Sequence, residues 1–149
     1  MPLNLPQKQF NIKKSGDGRL RIFDRLRRKF VALTPEEWVR QNFVAFLIDN
    51  RGFPAGLMAN EVSLTQNGIS RRCDTLVSDR NGRPFVIVEY KAPTVAVTQN
   101  VFDQIVRYNM VFQARYLIVS NGLAHYCCSI DYTTGSYTFL EEIPPYCDL

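Results

Sequence analysis

Asp74, Glu89 and Lys91 are the residues whose types and spacing could do chemistry. Glu89 and Lys91 close the stretch "VIVEYKAP", residues 86–93, in which an apolar run ends in a carboxylate and an ammonium two positions apart. Side chains two apart on a strand share a face, about 6–7 Å from one another. Burying either charge alone is costly, so the pair is either solvated at a strand end or held there for a purpose. Asp74 belongs to the preceding strand of an apparent hairpin, "CDTLVSDRNGRPFVIVEYK". The Asn81-Gly82 turn would set Asp74 opposite Glu89, give or take a slip. Two carboxylates at close range repel unless a cation lies between them. Hard oxygen ligands suit Mg²⁺ (or Mn²⁺), which takes one or two carboxylates plus phosphate oxygens and keeps several waters. A lysine beside them can hold a phosphate oxygen or position a water. This is apparatus for hydrolysing a phosphodiester.

The elements that must position these groups follow from periodicity and turn chemistry. Residues 8–24 read as a β-hairpin, with Phe10 and Ile12, then Leu20 and Ile22, alternating with polar residues around the turn "SGDG". "TPEE" after Leu33 offers an N-cap threonine, a proline at the first helical position and two acids in the first turn. The helix it opens runs to Asp49 or Asn50, with Phe43, Phe46 and Leu47 as its buried stripe. Strands are expected at 57–65, 71–78 and 85–91, a helix at 98–114 with Val101, Ile105, Tyr108 and Phe112 on one face, and strands at 116–120, 124–130 and 137–141. The order hairpin–α–β–β–β–α–β–β–β predicts one α/β domain over residues 1–149, a mixed sheet flanked by helices. Residues 1–29 form a basic hairpin and linker, and 30–149 the core.

Asp74, fourteen intervening residues and then Glu89-x-Lys91 resemble the PD-(D/E)xK nuclease motif, with Cys73 where proline is usual. Downstream, "FDQIVRYN" supplies Gln104-x-x-x-Tyr108, one turn apart on a helix. With "TPEEWVRQ" before and "LIVSNGLAHYC" after, residues 25–130 resemble the N-terminal nuclease domain of type I restriction enzyme R subunits. The resemblance implies a restriction-endonuclease-like αβββαβ core and Mg²⁺-dependent cleavage of DNA, with other restriction-system subunits as partners. Asp74 and Glu89 would bind the metal, with the backbone carbonyl of Ala92 or Tyr90 as a further ligand. Lys91 would stabilise the transition state or orient the water, and Gln104 and Tyr108 would hold the substrate backbone or the lysine. An acid of the first helix would complete the metal shell. Glu36 is preferred, because it lies in phase with Phe43 and Leu47 and so points at the sheet. Glu37 is the alternative, although its place three residues after Thr34 already makes a capping box.

The composition excludes other classes. With 149 residues, 46% hydrophobic and 21% charged, the chain can bury a real core. No apolar run is long enough to cross a bilayer and no signal peptide opens it, which points to the cytoplasm. Cys73, Cys127, Cys128 and Cys147 show no CxxC spacing and His125 is the one histidine, so neither a zinc site nor a Ser-His-Asp or Cys-His triad is expected. No G-x-x-x-x-G-K-[ST] is present, so a DNA-translocating motor would lie elsewhere. The net charge of +4 is uneven: residues 1–29 hold nine Lys/Arg against Asp17 and Asp24, and the rest hold nine against twelve acids. Arg25, Arg27, Arg28 and Lys29 in "RLRIFDRLRRKF" are the candidate phosphate contacts, weighed against a merely solvated hairpin. Two rivals to the endonuclease remain: a catalytically silent nucleic-acid-binding or assembly subunit with the same fold, and a structural domain whose acids are solvated.

Overall fold

A computed structural model of the protein describes residues 2–149. Local chemistry accounts for the first elements. Strands β1 (Ile12–Lys14) and β2 (Leu20–Asp24) pair antiparallel through the Ser15–Gly18 turn, where Gly18 takes φ +83°. A third strand, β3 (Lys29–Ala32), for which the sequence predicts no element, spans the expected boundary between linker and core, pairs with β2 and completes a three-stranded sheet. Its signal was weak because only Phe30, Val31 and Ala32 are apolar. The device that folds it back is Asp24, whose Oδ1 accepts the backbone N–H groups of Leu26 (2.8 Å) and Arg27 (3.1 Å). That is a carboxylate-stabilised turn.

Helix α1 (Pro35–Arg51) starts where Thr34 Oγ1 accepts the Glu37 N–H at 3.1 Å and stops at Gly52 in the left-handed region, as its caps predict. The main sheet runs β4 (Met58–Gln66), β5 (Ile69–Ser78), β6 (Pro84–Tyr90), β7 (Tyr116–Ser120), β8 (His125–Asp131) and β9 (Ser136–Leu140), in that spatial order. Only β6 and β7 are parallel, and α2 (Gln99–Asn109) makes the crossover such a pair requires. Val86, Ile87 and Val88 are all fully buried, which is why β6 reads as an unbroken apolar run.

The two helices cover opposite faces of the sheet. Val39, Phe43 and Leu47 of α1 meet Val77, Val88, Tyr90 and Ile118. Phe102 and Val106 of α2 meet Ile87, Leu117, Val119 and Cys128. The expected face of α2 is thus displaced by a residue: Phe102, Val106 and Asn109 are buried, while Tyr108 is 44% exposed. An asparagine inside the buried stripe disguised its phase. Strand β5 breaks simple alternation as well. Thr75 and Val77 face α1, yet Cys73 and Leu76, three apart, both face α2. The irregularity falls at Asp74, flanked on β4 by Glu61 with φ +56°. No described helix is long and apolar enough to cross a membrane.

Asp24 also ties the small sheet to the large one. Its side chain is fully buried, pairs with Arg27, and accepts Asn60 Nδ2 from β4 at 3.0 Å. Burial opposes its charge, but the donors from Asn60, Arg27 and Leu26 outweigh burial and hold its carboxyl below the usual range. Removing one member of a buried pair strands the other. Asp24→Ala is therefore expected to lower the unfolding free energy by roughly 3–5 kcal/mol at pH 7 in urea titrations. The gap should narrow below the ordinary carboxylate range, where wild-type Asp24 itself takes up a proton.

Candidate active site

Strands β5 and β6 pair from Val77–Val86 to Thr75–Val88, which brings Asp74 next opposite Glu89, the expected facing; nearer the turn Ser78 pairs with Pro84, so a bulge between Val77 and Ser78 supplies a one-residue shift. Asp74 Oδ2 accepts the Tyr90 N–H at 2.9 Å. Its carboxyl lies in hydrogen-bonding contact with that of Glu89. Burial first, and then the charge of Asp74, push the Glu89 carboxyl up to about 9. The Asn109 side chain and the charge of Lys91 only partly offset this. Glu89 Oε1 is sealed from solvent without a hydrogen-bond partner. An orphaned carboxylate oxygen facing a second carboxylate is what a divalent cation would satisfy, so the donor set fits Mg²⁺.

Lys91 leaves the end of β6, its backbone N–H held by Ser120 O at 2.9 Å. It is half-buried, and among the described residues it makes no ion pair. Its charge is therefore available beside Glu89. Cys73 lies close by; burial, helped by Glu89 and Asp74, pushes its thiol up to about 12, which leaves it unreactive.

Behind this cluster stands Arg40 of α1, which the sequence reading did not single out. Its Nη1 donates to the Asp74 carbonyl at 2.6 Å and its Nη2 to Glu61 Oε1 at 2.5 Å. Its Nε lies 3.1 Å from Glu37 Oε2, and its guanidinium sits 5.8 Å from the Tyr90 ring centre. Burial works against the charge, but Glu37 and Glu61 outweigh it and hold the guanidinium above its ordinary pKa. Glu37 also takes Arg27 Nη2 at 2.7 Å and Gln41 Nε2 at 2.9 Å.

The preferred Glu36 is exposed, and the acid turned inward is Glu37. Glu36 does share the phase of Phe43, but in the first turn burial depends on what lies opposite, and Arg27 lies over Glu37. Neither acid joins Asp74 and Glu89: among the described residues no three His, Cys, Asp or Glu side chains gather as metal ligands. Gln104 and Tyr108 lie on the exposed side of α2, with Tyr108 stacked on Arg71 at 4.7 Å. The residue α2 presents to Glu89 is Asn109, legible in the sequence only as a polar member of the stripe Phe102, Val106, Asn109. Of the basic candidates, Arg28 and Lys29 are exposed, Arg25 is 3.5 Å from Asp49, and Arg27 is committed to Asp24 and Glu37. His125 is structural, with Ser120 Oγ at 2.7 Å from Nδ1 and the Asn4 carbonyl at 2.8 Å from Nε2.

Residues 35–144 match the family model described as the type I restriction enzyme R protein N terminus. A solved structure, a fragment assigned to the HsdR subunit of a type I restriction enzyme from Vibrio vulnificus YJ016, is similar in fold. The identity is 23% and the TM-score 0.53, over 75% of this chain. The likeness covers only 24% of that chain. No curated protein matches.

The raised pKa of Glu89 has a definite sign. Between its ordinary value and about 9 the folded, metal-free protein holds a proton that the unfolded chain has released. Stability should therefore fall as the pH rises through that window. Glu89→Gln removes the titration, so at pH 8 in chelator the variant is expected to exceed the wild type by at least about 1 kcal/mol, near the value of one pKa unit. Urea unfolding at pH 5.5 and pH 8 checks this; an equal pH slope in both proteins would refute it.

Proposed function

The chain belongs to the type I restriction enzyme R protein N-terminal family, and on that premise we propose that it is a Mg²⁺-dependent endonuclease hydrolysing DNA phosphodiesters within a restriction system. The observation that carries this reading is the unpartnered Oε1 of Glu89 beside Asp74. Asp74 and Glu89 would hold Mg²⁺ or Mn²⁺, with the carbonyl of Tyr90 or Ala92 as a further ligand. When bound, the ion would draw the proton off Glu89, polarise the phosphate and lower the pKa of a water. Lys91, which makes no ion pair among the described residues, would hold a non-bridging phosphate oxygen or the attacking water. Gln104 and Tyr108, from the exposed side of α2, would touch the substrate backbone rather than the carboxylates. The other subunits of such a system are the proposed protein partners.

A catalytically silent nucleic-acid-binding or assembly subunit is the rival reading. It is favoured by one observation, that no third carboxylate joins Asp74 and Glu89 among the described residues. Nicking of supercoiled plasmid decides between them. Asp74→Asn, Glu89→Gln and Lys91→Ala, each checked for folding by circular dichroism, should lose at least about a hundredfold in Mg²⁺-dependent cleavage. Full activity in Lys91→Ala would remove the catalytic assignment, and no cleavage by the wild type would favour the silent subunit.

The basic segment carries a separate expectation. Arg28→Gln with Lys29→Gln should weaken duplex binding regardless of base sequence and make the salt slope shallower by up to about 2 units. Arg27→Gln should instead lower stability, since Arg27 is spent on Asp24 and Glu37. An unchanged slope in the double variant would mean that these cations are merely solvated.

A further inference from the structure

The sheet face that carries Glu89 continues sideways into an aromatic groove with no role in the metal reading. Glu89 is in register with Val119 on β7, and Val119 with Tyr126 on β8. The three form one row across the sheet, so Tyr126 lies two strand spacings, about 10 Å, from Glu89. Phe102 of α2, 2% exposed, forms the floor of the groove. Tyr126 and Phe139 stand at 38% and 45% exposure. The ring centres of Phe102 lie 4.9 Å from Phe139 and 6.2 Å from Tyr126. Val97, Thr98 and Gln99 close a space of about 200 Å³.

Three features say what this groove would take. Its walls are aromatic, its volume suits one planar ring rather than a helix, and no carboxylate lines it. Asp103, the nearest acid to these rings, is engaged by Tyr137 and Gln99. Lys91, which makes no ion pair among the described residues, follows Glu89 at the end of β6 and begins the loop whose far end, at Val97 and Thr98, forms the wall. A cation followed by stacking aromatics is the arrangement that binds a single nucleic-acid strand, phosphate on one and base on the other. A paired base inside a duplex cannot present its face to a protein ring.

We infer that the Phe102–Tyr126–Phe139 groove stacks an unpaired base of the strand whose phosphodiester lies at Asp74 and Glu89, so that the preferred substrate is single-stranded or locally melted DNA. The position of the base relative to the cut rests on the proposed metal site; the stacking itself does not.

The test uses the whole chain in chelator, with a short fluorescent oligo(dT), an abasic strand of equal length and charge, and a duplex. The oligo(dT) should bind about tenfold more tightly than the abasic strand. Tyr126→Ala with Phe139→Ala should erase that ratio and leave the abasic affinity unchanged, while Tyr126→Phe should retain it. Equal affinities in the wild type, or an intact ratio in the double alanine variant, would overturn the inference. So would a wild-type dimer that the double variant converts to monomer in sedimentation, because the groove would then be a contact between copies. The two readings fail separately. Asp74→Asn should keep the ratio, so a base preference with metal-independent cutting sinks the metal site alone. Metal-dependent cutting without a base preference sinks the groove alone.

Discussion

The buried guanidinium of Arg40 is the interaction on which the rest of the site depends. Removing a charge of this kind from water is costly, and it is tolerated only when the surrounding groups satisfy it. Here Glu37 and Glu61 supply the countercharge, the Asp74 carbonyl a hydrogen bond and the Tyr90 ring a face. Each partner lies on a different element: Glu37 on α1, Glu61 on β4, Asp74 on β5 and Tyr90 on β6. One side chain therefore fixes the helix against three strands. It also holds Glu61 at φ +56°, a conformation that a non-glycine residue adopts only when its surroundings over-determine it.

Around Asp74 the alternation of β5 slips, so Cys73 and Leu76 both turn to α2. Asp74 is left with its carbonyl engaged from the α1 side and its carboxylate at Glu89. The backbone of one residue thus connects the Arg40 ion pairs on one side to the Asp74–Glu89 carboxyl pair on the other. Arg40 has its countercharges already present in Glu37 and Glu61, although its Nε makes no hydrogen bond. At Glu89, burial and the charge of Asp74 push the carboxyl up to about 9, and Oε1 has no partner. An unsatisfied buried group is where an exogenous ion has most to offer, which is why the proposed metal site is drawn at Glu89.

The N-terminal sheet belongs to the same chain of charges. Asp24, Arg27, Glu37 and Arg40 follow one another from β2 to α1. A segment with so many cations looks, by composition, like an arm for polyanions. In the fold its central arginine is a structural bolt, and the cations left to solvent include Arg28 and Lys29 with Lys13, Lys14, Arg19 and Arg21 of the hairpin. The two roles coexist because positions alternate between the helix side and the open side of the turn.

Much of this was legible in the sequence by itself, because it rests on local chemistry. Thr34-Pro35 and Gly52 set the limits of α1 through caps that act within a few residues. The Asn81-Gly82 turn marked the hairpin that brings Asp74 to Glu89, although the turn itself leads to Ser78 opposite Pro84 and a bulge between Val77 and Ser78 supplies the last residue of the register. What only the tertiary structure decided concerns which side of an element is covered. Periodicity put Glu36 in phase with Phe43, but Arg27 lies over Glu37, and that contact comes from another element. The face of α2 was displaced because Asn109 occupies a buried position that polarity argues against, held there by its bond to the Ile105 carbonyl and by its contact with Glu89. Strand β3 escaped notice because Asp24, not an apolar pattern, folds it back. Arg40 looked like any helical arginine until three strands were seen to converge on it. Burial and ion pairing are set by groups distant in sequence, whereas periodicity, caps and turns are set by near neighbours.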